Sequence, residues 1–184
     1  SGRSSNARLR NTSAVSFSAA QALSPPSSLA AIALDGGERG YYFLPVDTGQ
    51  ENYCLRLVFH VYVEGAPGGT LDGPSFFSGG AALLTFETSA ALKYRLGDNG
   101  LTDLPIADLM PAKWHRVQLE LRRTGGSPPT TSYEAKLDTL MPQSGVLPTP
   151  FGTQFHLRFG LLSARGAGVM YFDDAKVTIG PGAP

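Results

Sequence analysis

Hydrophobic and polar positions alternate with a period of two along most of this chain, and that alternation predicts its elements. The longest clean run is Tyr53–Val63. Tyr53, Leu55, Leu57, Phe59, Val61 and Val63 fall on one phase, and Cys54, Arg56, Val58, His60 and Tyr62 on the other. Such a strict alternation excludes a helix, whose repeat is near 3.6. Residues 114–123 set Val117, Leu119 and Leu121 against Arg116, Gln118, Glu120 and Arg122. Residues 133–140 set Tyr133, Ala135 and Leu137 inward against Glu134, Lys136 and Asp138. In 155–163, Phe155, Leu157, Phe159 and Leu161 share a phase, opposite His156 and Arg158. The run 169–179 opens apolar on both phases (Val169, Met170, Tyr171, Phe172), as a strand covered on both sides would. The small residues at 164–168 are expected to link these last two runs into a closing hairpin.

Weaker signals fill in the rest. An edge strand is expected at 14–20, interrupted by Ser24-Pro25-Pro26-Ser27, because proline cannot donate to a ladder. Short strands at 29–34 and 41–46 flank the turn Asp35-Gly36-Gly37; Tyr41-Tyr42-Phe43 puts aromatics on both phases, so at least one faces outward. The Gly-, Pro- and Asp-rich stretch 64–80 reads as a long loop carrying Phe76 and Phe77. Strands follow at 81–87 and 92–96, then turn chemistry at Asp98-Asn99-Gly100. A single helical turn is expected within 104–111, and a proline-rich crossing over 141–153. Turn signals recur about every 8–12 residues, with no internal repeat. The predicted fold is all-β: a two-sheet antiparallel sandwich, apolar between the sheets and polar outside.

Composition narrows the picture. A length of 184 residues suits one domain with a sizeable core. The 22 glycines and 14 prolines beside 42% apolar residues fit a turn-rich β domain and exclude disorder. Lys+Arg and Asp+Glu balance at 15 each, so no global field points to nucleic acid or to a polybasic membrane contact. No run reaches the ~18 apolar residues of a membrane span. Cys54 is the only cysteine, which excludes an internal disulfide and any multi-cysteine zinc site. Residues 1–12 read as a linker or expression scar, 13–180 as the sandwich and 181–184 as a linker-like tail. Such ends suggest a domain cut from a longer, exported protein.

The segment Lys113-Trp114-His115-Arg116-Val117-Gln118-Leu119 resembles the tryptophan-bearing strand of concanavalin A-like and laminin G-like jelly rolls. Residues 133–138 and Met170-Tyr171-Phe172-Asp173-Asp174-Ala175-Lys176-Val177 are similar to later segments of the same domains. The resemblance spans about 53–179. It departs at Thr139, which follows Asp138 where that family has glycine. It implies a concanavalin A-like jelly-roll β-sandwich. Domains of this kind commonly bind carbohydrate or serve as adhesive parts of exported bacterial proteins; some are glycoside hydrolases or polysaccharide lyases. Fold alone does not choose among these.

Catalytic motifs are not evident. A retaining glycosidase needs two carboxyl groups about 5–5.5 Å apart, which alternate strand residues can supply. The Glu-x-Asp-x-x-Glu string that the resemblance implies for hydrolases is absent, as are the Arg, Gln, His and Tyr motifs of the lyases as written. Neither a Gly-x-Ser-x-Gly elbow nor a His-Glu-x-x-His zinc helix occurs. The leading expectation is therefore a non-catalytic carbohydrate-binding or adhesion module of an exported bacterial protein, extracellular, periplasmic or at the cell surface. Its alternatives are a polysaccharide-active hydrolase or lyase with an unrecognised site, and a structural spacer. A polysaccharide or glycan is the expected partner, with no nucleic acid.

The candidate binding residues are Arg56, His60 and Tyr62. His156 and Arg158 join them if the two strands share a sheet, with Lys93 and Arg95 as further donors. Cationic donors beside a ring suit sugar hydroxyls or a uronic carboxylate; the plainer reading is a solvated face whose long side chains cover apolar atoms. Phe76 and Phe77 are either a stacking platform or a plug folded onto the sandwich. Asp173 falls on the apolar phase and needs an arginine, backbone N–H groups or a metal. A structural calcium held by Asp173, Asp174 and Asp72 is one solution, and a bulge turning both neighbouring aspartates outward is another. No other cofactor is indicated.

Overall fold

The computed structural model describes residues 8–10, 15–25, 28–34, 40–78, 81–98, 102–161 and 163–181. They form strands and turns only, in two antiparallel sheets. With strands numbered in chain order, sheet I runs β1 (Arg8–Arg10), β4 (Gly40–Asp47), β13 (Gln154–Leu161), β6 (Thr70–Ser78), β7 (Ala81–Thr88), β8 (Lys93–Asp98) and β9 (Thr102–Asp108). In addition, β14 (Ser163–Arg165) pairs with β6. Sheet II runs β12 (Gln143–Val146), β11 (Thr130–Leu137), β10 (Trp114–Thr124), β5 (Tyr53–Val63), β15 (Gly168–Pro181), β3 (Ser28–Ala33) and β2 (Val15–Ser18). The chain is an all-β, two-sheet antiparallel sandwich.

The alternation read from the sequence is what builds the core. Every apolar-phase residue of β5, from Tyr53 to Val63, is fully buried. Register places Val117, Leu119 and Leu121 of β10 beside Phe59, Leu57 and Leu55. Between the sheets, Phe59 meets Phe86 of β7 and Phe159 of β13 edge-on, at 5.3 and 5.4 Å between centroids. The fully buried rings of Phe59 and Phe86 each contribute roughly 1.5–3 kcal/mol through area removed from water, and edge-to-face geometry adds to it. This contact clamps one sheet to the other.

Several expectations are corrected. The runs 155–163 and 169–179 do not form a closing hairpin: β13 lies between β4 and β6 in sheet I, and β15 between β5 and β3 in sheet II. The link crosses the sandwich edge instead, where Gly68 N donates to Ala167 O at 2.7 Å. Glycine is required there, since a Cβ on Gly69 would strike the Arg165 carbonyl and Gly166 holds φ 144°. The stretch 64–80 contains a full strand, β6, whose alternation is masked by bulges between Asp72 and Ser75 and between Phe76 and Phe77. The helical turn expected within 104–111 is strand β9, paired with β8. The crossing 141–153 carries β12. Arg8–Arg10, inside the segment read as linker, pairs with β4 in the register Arg8↔Phe43; three residues are too few to show a period.

Candidate functional site

Sheet I turns its inner phase to the core, and its outer phase gathers a distinct set of side chains. Arg158 of β13 pairs with Phe43 of β4 on one side and Ser75 of β6 on the other; His156 pairs with Pro45 and Phe77. Antiparallel partners point to the same face, so His156, Arg158, Phe43, Ser75 and Phe77 stand together, with Tyr41 two residues from Phe43. The Arg158 guanidinium carbon lies 3.8 Å from the Phe77 ring centroid and 5.0 Å from that of Tyr41. These are cation–π distances. The His156 ring sits 4.6 Å from Phe43 and stacks nearly parallel on Phe77, at 6.0 Å and 10°. Two aromatic rings thus hold the imidazole, and two hold the guanidinium.

The polar atoms here are under-used. Arg158 Nε is buried with no hydrogen-bond partner, and so is Oγ of Ser75, a residue with 0% exposure. No carboxylate among the described residues pairs with Arg158. Buried polar groups without partners cost free energy, so each needs an explanation such as a ligand. Burial, and then the Arg158 charge, lowers the His156 pKa below 6.5. The result is a neutral imidazole beside a fixed cation.

Sheet II presents the opposite arrangement. Arg56 and Arg122 both donate through Nε to Glu120. Partial burial pushes the Glu120 carboxyl up, but the hydrogen bonds and charges of the two arginines outweigh it and the net shift is down. His60 Nδ1 lies 3.8 Å from Asp174 Oδ2. Tyr62 is buried against Trp114 and Tyr171, at 5.5 and 5.8 Å between centroids. The expected five-residue face is therefore split. Arg56, His60 and Tyr62 are on sheet II, while His156 and Arg158 are on sheet I, the sheet that also holds Lys93 and Arg95.

The remaining candidates also separate. Phe76 is a core residue against Phe151 and Phe155, and only Phe77 turns outward; neither lies in a loop and neither is an exposed platform. Asp173 and Asp174 sit at a β15 bulge, and Asp72 lies on β6 in the other sheet, so the three do not converge on a calcium. Asp173 takes the backbone N–H solution: its Oδ2 accepts from Leu23 N and Ser24 N, each at 2.9 Å. Its Oδ1 accepts from Asp174 N, and Ser24 Oγ donates to Asp174. Among the described residues no group of three or more His, Cys, Asp or Glu is placed to hold a metal ion.

A second His–carboxylate pair is structural. His115, 2% exposed, donates from Nδ1 to Asp138 Oδ2 at 2.7 Å and accepts from Met110 N at 3.0 Å. Asp138 stands at φ 50° and its Oδ1 accepts from Arg116 N. It pins the turn after β11 to the start of β10. A cleft of about 400 Å³ at the sandwich edge is lined by inner-phase residues such as Leu44, Leu157 and Phe159. It lies behind β13, on the far side from His156. Sequence reasoning missed Ser75, because a small residue inside a masked strand gives no signal. The two-phase aromatics at 41–43 implied at least one outward ring without saying which; Tyr41 and Phe43 are the ones beside Arg158 and His156.

No family model matches this chain, and no curated protein is similar to it. Solved structures do match. An endo-β-1,4-glucuronan lyase from the fungus Trichoderma reesei superposes with a TM-score of 0.67 at 13% identity, covering 92% of this chain and 89% of its own. An alginate lyase from Aplysia kurodai gives 0.65 at 11%, covering 92% and 88%. A sialidase gives 0.63 at 11% over 94% of this chain but 17% of its own length. Further alginate lyases match in the same way. The fold is thus a concanavalin A-like jelly roll; the laminin G-like half of the expected resemblance gains no support. The leading expectation of a non-catalytic binding or adhesion module is overturned by these matches, which favour its enzymatic alternative.

Proposed function

We propose that this chain is a polysaccharide lyase that cleaves uronate-containing chains by β-elimination on the outer face of sheet I. The observation that carries the reading is the neutral His156 imidazole beside an Arg158 guanidinium that has no carboxylate partner among the described residues. Glucuronan and alginate, the polymers in the neighbours' names, carry a carboxylate on every sugar. Arg158 pairs with that carboxylate and so acidifies the proton on the adjacent C5, supplying charge stabilisation where charge develops. His156 takes the C5 proton, the C5–H electron pair forms a C4=C5 double bond, and the C4–O glycosidic bond breaks with its electrons leaving on oxygen. The Tyr41 phenol, under the same guanidinium, protonates the leaving oxygen.

A neutral base is what this chemistry needs at neutral pH, since an imidazolium cannot accept a proton. A polymeric substrate is met outside the cell, which supports an extracellular, periplasmic or surface location. Among the described residues no helix is long and apolar enough to cross a membrane. The test is incubation with polyglucuronate, polymannuronate and polyguluronate, following the ultraviolet absorbance of the conjugated double bond. The expected result is absorbance with at least one polymer, lost in His156→Ala. Silence with all three sinks the proposal.

A further inference from the structure

The outer face of sheet II carries a local excess of positive charge that the proposed elimination does not use. Register sets Lys136, Gln118, Val58 and Lys176 in one row across β11, β10, β5 and β15. At the usual strand spacing the two lysines are roughly 14 Å apart. Arg116 lies one row to one side, opposite His60, and Arg56 one row to the other, opposite Glu120. A hollow of about 390 Å³ is lined by Arg56, Arg116, Gln118 and Lys136 among others. It adjoins a second of about 360 Å³ with Arg122, Ser132 and Ser144 on its walls.

The charges do not cancel locally. Glu120 is shared by Arg56 and Arg122, which leaves that trio with one net positive charge. Arg116, Lys136 and Lys176 have no ion-pair partner among the described residues, and Glu134 is the one further carboxylate in the hollows. At the margins Asp138, Asp173 and Asp174 keep their negative charge, held by His115 and Arg116 N, by Leu23 N and Ser24 N, and by Ser24 Oγ with His60 nearby, so the positive excess belongs to the hollows themselves. The protein as a whole is balanced at 15 and 15, so this excess is a concentration on one face.

We infer that this face is a second, non-catalytic holding surface for an acidic polysaccharide, a uronate chain laid across β11, β10, β5 and β15. The inference rests on the proposed lyase reading for its choice of polymer. Charge complementarity favours that occupant: spaced cations meet spaced carboxylates, and Gln118, Ser132 and Ser144 offer hydrogen bonds to hydroxyls. Nucleic acid is a poorer fit, because among the described residues no exposed ring stands between the cations for bases to stack on. Tyr62 and Tyr171 are buried, and Trp114 is half-buried against Tyr62.

Affinity electrophoresis through polyglucuronate and alginate gels tests it. The elimination-dead His156→Ala variant should be retarded like the unmodified protein. Lys136→Ser/Lys176→Ser/Arg116→Ser should bind roughly tenfold more weakly. It should still cleave short uronate oligomers at the original rate, and Lys136→Arg/Lys176→Arg should restore retention. Because the substituted side chains lie outside the core, a thermal melt checks that the fold is kept. Unchanged retention of the triple variant, or lost retention of the elimination-dead one, overturns the surface. Equal retention by single-stranded DNA overturns the polyuronate assignment. Failure of the lyase reading shows separately, as absence of the unsaturated product while gel retention by the Lys136 face persists.

Discussion

The two outer faces of the sandwich use the same residue types to opposite ends. On sheet I, Arg158 rests on Phe77 and Tyr41 with no carboxylate among the described residues to neutralise it, and His156 is kept neutral between Phe43 and Phe77. On sheet II, Arg56 and Arg122 converge on Glu120, and His60 looks toward Asp174. The difference teaches that a cation's neighbours decide its role. Aromatic faces attract a guanidinium without cancelling its charge for an incoming carboxylate. A glutamate partner cancels it.

The sharpest way to break this comparison is to remove the imidazole from each face in turn. His156→Ala should lower uronate elimination roughly 10²–10⁴-fold, the usual worth of a general base, whereas His60→Ala should leave kcat on short oligomers unchanged; initial rates from product absorbance check both. An equal loss in the two variants would erase the distinction between the faces. Next in size is Phe77→Ala, which removes a ring packed on both His156 and Arg158. It should cost about 3–5 kcal/mol in a denaturant titration, since the residue is buried.

At the end of β11 in sheet II, Asp138→Ala strips hydrogen bonds from buried His115 and from Arg116 N, and should cost about 1–3 kcal/mol. Asp138→Asn, which tolerates the positive φ, should cost less. Burial raises the Asp138 pKa, but the Arg116 N–H and His115 outweigh it and the net shift is down. The folded pKa is thus below the unfolded one, so this stabilisation is present above the usual carboxylate range and fades as pH falls through the lowered value. Urea midpoints at descending pH measure it.

A smaller effect sharpens the electrostatics of sheet I. The acidic limb of kcat/KM should lie below 6.5, because His156 is neutral until its lowered pKa is reached. Arg158→Gln removes the second of its two depressing causes, so besides weakening substrate binding it should move that limb upward, toward 6.5. A pH–rate profile of both proteins shows the direction. The same sign governs stability: the neutral imidazole's contribution is complete above 6.5 and declines as pH drops below it. The smallest change is expected at Glu120→Gln. Ion pairs to such exposed arginines are weak, so a thermal melt should barely move.

Much of the inside of this molecule was legible in the sequence. The phases of 53–63, 114–123 and 155–163 told which side chains face the core, because a strand's period of two is local geometry. The candidate site was legible only in halves. His156 and Arg158 stood out as polar residues on an apolar strand, but Ser75 and Phe77 were hidden in a stretch that reads as loop. Its bulges put Ser75 to Phe77 all in buried positions, so no alternation survives. The aspartates show the same limit: the amino-acid order leaves an arginine, backbone N–H groups, a metal or a bulge open, and only the fold supplied Leu23 N and Ser24 N from about 150 residues away.

By itself, then, the amino-acid order determined that this is a β-sandwich and which phase of each main strand is inside. Tertiary structure alone decided which sheet each strand joins. Adjacent runs 155–163 and 169–179 part company into opposite sheets, and residues 77 and 156 become neighbours. The reason is physical: facing direction is set by successive backbone units, whereas strand partnership is a competition among distant ladders that can all satisfy the same hydrogen bonds. Whether Arg56 and Arg158 share a surface is an outcome of that competition, and so is which of them meets a glutamate.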